Sequence, residues 1–107
     1  MFVSIQNDLN TIVQEINHIV PQARVFLFGS YATGTQREDS DIDLCVVVPQ
    51  LYDRPMEMIY TIRTAITDKT KLPIDILLFT NDEFERKSKM KPTIQYAIAK
   101  KGVLLNG

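Results

Sequence analysis

The stretch Asp41-Ile42-Asp43-Leu44-Cys45-Val46-Val47-Val48 constrains the fold more than any other. Leu44 to Val48 is an unbroken apolar run closed by Pro49, which reads as a buried strand. Side chains alternate across a strand, so Asp41 and Asp43 point to one face while Ile42 and Leu44 point to the other. Two ionised carboxylates on one face repel, and removing them from water is costly unless something compensates. A divalent cation is the natural compensation, because magnesium takes oxygen ligands and keeps positions open for water and substrate phosphates. Taken alone, the D-x-D pair is a weak signal, since acids where a strand begins are often simply solvated.

The remaining apolar pattern supplies the frame. Ile5, Leu9, Ile12, Val13, Ile16 and Val20 recur at three- and four-residue steps and predict an amphipathic helix over 4–20, with Ser4 as N-cap and Pro21 as its stop. Arg24 to Phe28 is a short buried strand ended by Gly29. Ser30 to Gly34 forms a helical turn closed by glycine, and Thr35 to Ser40 is a polar loop. The second strand runs from Asp41 to Val48. A second long helix spans Pro55 to Asp68, with Asp53 or Arg54 at its start and Met58, Ile59, Ile62, Ala65 and Ile66 on one face. Ile74 to Phe79 is a third strand. Thr80 and Glu83 have the spacing of a capping box for a helix reaching about Lys89, and Pro92 opens a last helix that ends near Lys101 with Gly102 as C-cap. The expected architecture is a small α/β (α+β) domain over 1–107, with helices packed on a mixed sheet.

Asp75 stands one residue into the third strand. If that strand neighbours the second, Asp75 faces the same patch as Asp41 and Asp43, and three carboxylates on two strands form a two-metal site for in-line attack on a phosphoryl group. The turn at Gly29-Ser30 adds the complementary part, since glycine lets the backbone approach a phosphate while exposed amides and a serine hydroxyl donate to it. Gly29 and Gly34 have the spacing of a P-loop, but Thr35-Gln36 follow where lysine and a hydroxyl residue are needed, so that reading fails.

Gly29-Ser30, ten intervening residues, then Asp41-Ile42-Asp43, with Asp75 on a later strand, resembles the nucleotidyltransferases of the DNA polymerase beta superfamily. The α-β-turn-β-α-β order is similar to that family's minimal core and extends the likeness over residues 1–80. The chain looks most like the free-standing minimal nucleotidyltransferases, which commonly pair with a helical HEPN protein as antitoxin and toxin in type VII-like systems. The resemblance implies that Gly29 and Ser30 bind the terminal phosphates of a nucleotide. It implies that Asp41 and Asp43 hold two magnesium ions, and that Asp75 completes the catalytic metal site and helps deprotonate the attacking hydroxyl. The implied reaction is transfer of AMP from ATP to a tyrosine of the HEPN partner. Transfer to a small molecule or an RNA end with a partner subunit, and neutralisation of the partner by binding alone, are the alternatives. One departure stands out: Thr33 occupies a position where many minimal members have arginine, and Arg37 or a C-terminal lysine is the candidate substitute.

A formal net charge of −1 and a pI near 5.7 give no general attraction to DNA or to anionic membrane. The single Cys45, set among valines, has no disulfide partner and no zinc-ligand companions, which fits a reducing compartment. No apolar stretch is long enough to span a bilayer, and Asn7, Asp8 and Asn10 do not suit a secretory signal, so a cytoplasmic protein is expected. His18 reads as structural or exposed. Tyr31 suits packing on the sheet edge or stacking on a base. Glu85 to Lys91 reads as a solvated helix face and loop, or as an attractor of triphosphate. Tyr52, Tyr60 and Tyr96 suit core or interface. Val103-Leu104-Leu105 would either pack on a partner or close the sheet as a last strand.

Overall fold

The structure, a computed structural model, describes residues 5–106. Ser4, the expected N-cap of the first helix, lies outside them. Helix α1 (Gln6–Ile19) is followed by strand β1 (Arg24–Phe28), the single turn α2 (Ser30–Thr33) and strand β2 (Ile42–Val48). Helix α3 (Pro55–Thr67), strand β3 (Ile74–Thr80), helices α4 (Asn81–Lys87) and α5 (Ile94–Lys101), and strand β4 (Val103–Leu104) complete the chain. The sheet order is β3-β2-β1-β4. The β2–α3–β3 crossover makes its two strands parallel, whereas β1 pairs antiparallel with both β2 and β4.

Alternation along β2 divides the interior into two layers. Ile42, Leu44, Val46 and Val48 face α1 and α3, where Leu9, Ile12, Ile16, Met58, Ile62 and Ile66 are buried. Cys45 and Val47 face the other way and pack with Phe84 and Ile98 from α4 and α5. On that second face the Phe26 and Phe84 rings stack at 5.2 Å, with the Arg24 guanidinium over both. β2 is covered on both faces, which is why its sequence is continuously apolar rather than alternating. Burial pushes the Cys45 thiol up to about 12, against a smaller opposing pull from Arg24, so it stays a neutral packing group.

Local chemistry sets the element ends, in places differently from expectation. Ile42, not Asp41, is the first residue of β2, and its N–H donates to the Pro73 carbonyl at 2.9 Å. Thr80 caps α4 by accepting from the Glu83 N–H, while the Glu83 carboxylate pairs with Lys87 at 3.2 Å instead of returning to the cap. α4 ends at Lys87, short of Lys89, where the Thr93 hydroxyl stands within donating reach of the Lys87 carbonyl at 2.7 Å and the Met90 carbonyl at 2.9 Å. The same Thr93 oxygen accepts from the Tyr96 N–H, so α5 starts at Ile94 rather than Pro92. Gly102 is the C-cap of α5, as expected, and holds that place in extended backbone (φ −74°). Its reason is a close approach: a Cβ there would stand 2.6 Å from the Ile98 carbonyl oxygen.

The C-terminal residues close the sheet. Val103 and Leu104 lie opposite Leu27 and Phe26, and the Leu105 N–H donates to the Val25 carbonyl at 2.8 Å. The Asn106 amide accepts from the Val25 N–H and donates to the Ala23 carbonyl and the Asn17 side chain, each at 2.9 Å. Among the described residues no helix is long and apolar enough to cross a membrane.

Candidate active site

Where β1 ends, Gly29 turns the chain with φ +78° and ψ −154°, a conformation that residues with a Cβ rarely adopt. A second constraint acts on the same residue, since an added Cβ would collide with the Asp43 carboxylate. Glycine therefore serves both the turn and the approach to the acid. The Gly29 carbonyl accepts from the Ala32 and Thr33 N–H groups at 3.1 and 3.2 Å, and Gly34 closes the turn in the left-handed region. Ser30 and Tyr31 head this turn, where a helix leaves its first donors without intrahelical partners. The Thr33 hydroxyl is engaged within the turn, 3.0 Å from that of Thr35 and within reach of the Gly29 and Ser30 carbonyls. Tyr31 is half-buried against the larger core, the packing alternative of the two expected for it.

The strand register brings two of the three expected acids side by side, whereas Asp41 precedes the paired residues. Asp43 lies opposite Phe28 of β1 and opposite Asp75 of β3. Both belong to the face that carries Cys45 and Val47. Burial pushes the Asp43 carboxyl above its ordinary value, and the charges of Asp75 and then Asp41 push it the same way. Asp75 is exposed on the edge strand, and Asp41 is exposed just ahead of β2. Asp41 also lines a cleft of about 300 Å³ between α3 and β3, together with Arg63, Ile66, Leu72, Ile74 and Ile76. Arg63 was not legible as part of this neighbourhood; its guanidinium reaches from α3 to the Ile74 carbonyl at 2.6 Å, a contact that no local spacing announces.

The donor set is all carboxylate oxygen, the kind magnesium takes. The upward push on Asp43 comes first from its burial and only then from its acidic neighbours Asp75 and Asp41. Among the described residues no three acidic, histidine or cysteine side chains converge into a ready-made cation cage.

The fold has close counterparts. A provisionally assigned nucleotidyltransferase of Sulfolobus solfataricus superposes with a TM-score of 0.66 at 21% identity, over 95% of this chain and 79% of that one. A toxin–antitoxin structure with AMP-PNP gives 0.61 at 23% identity, over 92% and 73%. A mutant of the toxin–antitoxin MntA-HpeT gives 0.59 at 19% identity, over 92% and 72%. At these identities the likeness is one of fold. No curated protein sequence matches the chain. The model of the nucleotidyltransferase domain family matches residues 9–105, from α1 through β4 and so across both strands of acids and the Gly29-Ser30 turn. The chain belongs to the nucleotidyltransferase domain family.

Proposed function

We propose that the chain is a magnesium-dependent nucleotidyltransferase that moves AMP from ATP to a tyrosine hydroxyl of a HEPN-domain toxin, and is that toxin's antitoxin within a cytoplasmic hetero-oligomer. The observation that carries this reading is the register that sets Asp43 beside Asp75, with Gly29 closed down on Asp43. Family membership supports the reaction class, and the likeness to toxin–antitoxin structures, one of them with AMP-PNP, supports the nucleotide and the kind of partner.

In this mechanism Gly29 and Ser30 hold the terminal phosphates through backbone amides and the serine hydroxyl. Asp41, Asp43 and Asp75 would hold magnesium, which supplies charge neutralisation on the phosphates and on the attacking oxygen. Asp75, exposed on the edge strand, accepts the proton of the incoming hydroxyl. The acceptor oxygen bonds to the α-phosphorus, the bond from that phosphorus to the bridging oxygen breaks, and pyrophosphate leaves with the electron pair.

The test follows ATP labelled on the α-phosphate, mixed with magnesium, this protein and the product of the neighbouring gene. Label should reach the partner with the native chain and not with Asp43→Asn. Equal labelling by the mutant would remove the carboxylate from the chemistry. A second reading, neutralisation by binding alone, draws on the three carboxylates not forming a closed cage among the described residues. It gains if Asp41→Asn with Asp43→Asn still silences the partner, and is lost if that double mutant does not.

A further inference from the structure

The formal net charge of −1 hides a division along the chain. Residues 86–107 hold six of the twelve Lys and Arg and none of the thirteen Asp and Glu. Part of that excess has a local cause. Arg86 and Lys87 stand in the last turn of α4, and Lys100 and Lys101 in the last turn of α5, where a helix end favours cations. Lys87 is also paired with Glu83, and the Lys100 ammonium lies 5.6 Å from the centroid of the Tyr96 ring. Lys89 and Lys91 have no such reason. They stand between the two helices, exposed, and neither forms a salt bridge among the described residues. Met90 and Ile94, from the same stretch, are each 47% exposed.

The backbone that carries these four side chains is pinned. The Met90 N–H donates to the Lys87 carbonyl and the Thr93 N–H to the Met90 carbonyl, each at 3.0 Å, and the Thr93 hydroxyl reaches the Lys87 carbonyl at 2.7 Å. Phe84 and Ile98 anchor the two helices in one apolar cluster with Cys45 and Val47 of β2. Exposed apolar side chains beside uncompensated cations, on a fixed backbone, have the make-up of a protein interface, in which apolar contacts bind and the charged rim selects the sign of the partner. A nucleic acid would use the cations and leave Met90 and Ile94 bare. Ile94 also lines a cleft with Gly29 and Thr33, so this face reaches the turn of the candidate active site. We propose that the α4–α5 face docks an acidic surface of the protein partner, with Lys89 and Lys91 as its charged contacts and Met90 and Ile94 as its apolar ones. The proposal rests on the reading above that the chain acts on a protein partner, and adds the surface that holds it.

The experiment measures association and dissociation rates between the whole chain and the product of the neighbouring gene, at low and at physiological salt. Lys89→Glu with Lys91→Glu should weaken the complex by about tenfold or more, chiefly through slower association, and should reduce its salt dependence. Lys89→Arg with Lys91→Arg should bind as the native chain does. Met90→Ala with Ile94→Ala should speed dissociation by about tenfold. Lys69→Glu with Lys71→Glu makes the same change of charge at exposed positions between α3 and β3, and should leave the complex intact. Native-like binding after the Lys89 and Lys91 reversal, or an equal loss in the Lys69 and Lys71 control, would overturn the assignment. So would a loss confined to the lysine pair with a single-stranded RNA bound more tightly than the partner, which would give the face to nucleic acid. A native chain that forms no complex would overturn the partner reading together with this surface, whereas a native complex indifferent to the substitutions removes the surface alone.

Discussion

The two faces of β2 obey different rules. Toward α1 and α3, every β2 residue packs: Ile42, Leu44, Val46 and Val48 are at most 1% exposed. Toward α4 and α5 the strand changes character along its length, from buried Val47 and Cys45 to half-buried, electrostatically strained Asp43. One face is therefore committed wholly to stability, while the other gives up its last position to chemistry. A rigid strand packed on its reverse side can hold an acid that the fold would otherwise disfavour.

Substitutions on adjacent residues of β2 should separate these roles. Asp43→Asn keeps the shape and removes the charge. Nucleotidyl transfer should fall about a thousandfold or more, because loss of metal-assisted stabilisation is worth several kcal/mol. Its circular dichroism and melting should stay native-like. Leu44→Ala, one residue on and facing the α1/α3 layer, should cost about 2–5 kcal/mol of stability in urea titration. Its transfer rate per folded molecule should be nearly intact. If Asp43→Asn unfolds the chain, or if Leu44→Ala is stable but inactive, the division between the two faces is wrong.

Gly29→Ala tests the contact between turn and acid. The positive φ alone should cost about 1–3 kcal/mol, and the new methyl must displace the Asp43 carboxylate. Denaturant titration should therefore show a modest loss, while labelled-ATP transfer falls much further than the stability change explains. Full activity in Gly29→Ala would show that the Asp43 carboxylate need not stand where the turn now holds it.

The same contrast explains what could be read in advance. Periodicity and capping are local, so the helices, the three long strands and the Gly29-Ser30 turn were legible from residue types alone. The role of Asp75 was conditional, because only the β2–β3 pairing, set by the α3 crossover, brings it beside Asp43. Asp41 was expected inside the strand and lies just before it, where the Ile42 N–H has already turned to Pro73. The tail Val103-Leu104-Leu105 was ambiguous because an apolar triplet does not name its partner, and β1 supplies it from far back in the chain. Gly102 was legible as the cap of α5, but the room it makes for the Ile98 carbonyl was not, since glycine looks the same whatever it is needed for.

The smallest effect sharpens the comparison most, because it needs no substrate. The folded-state pKa of Asp43 is raised, first by burial and then by Asp75 and Asp41. An unfolded aspartate titrates near 3.9, so above that pH the folded chain still binds a proton that the unfolded chain has released. Stability contributed by protonated Asp43 is thus complete below the unfolded value and is lost as pH rises through the folded one. At neutral pH, without added cation, the acid is a liability, and Asp43→Asn should be slightly more stable than the native chain. Asp43 is only half-buried, so the gain should be below about 1 kcal/mol once screening is discounted. Melting curves of both chains from acidic to neutral pH check the sign: the gap should open as pH rises and close in acid. Magnesium should narrow it at neutral pH by stabilising the native chain and not the mutant. Parallel curves at every pH, indifferent to magnesium, would mean that this end of β2 is as purely structural as the face behind it.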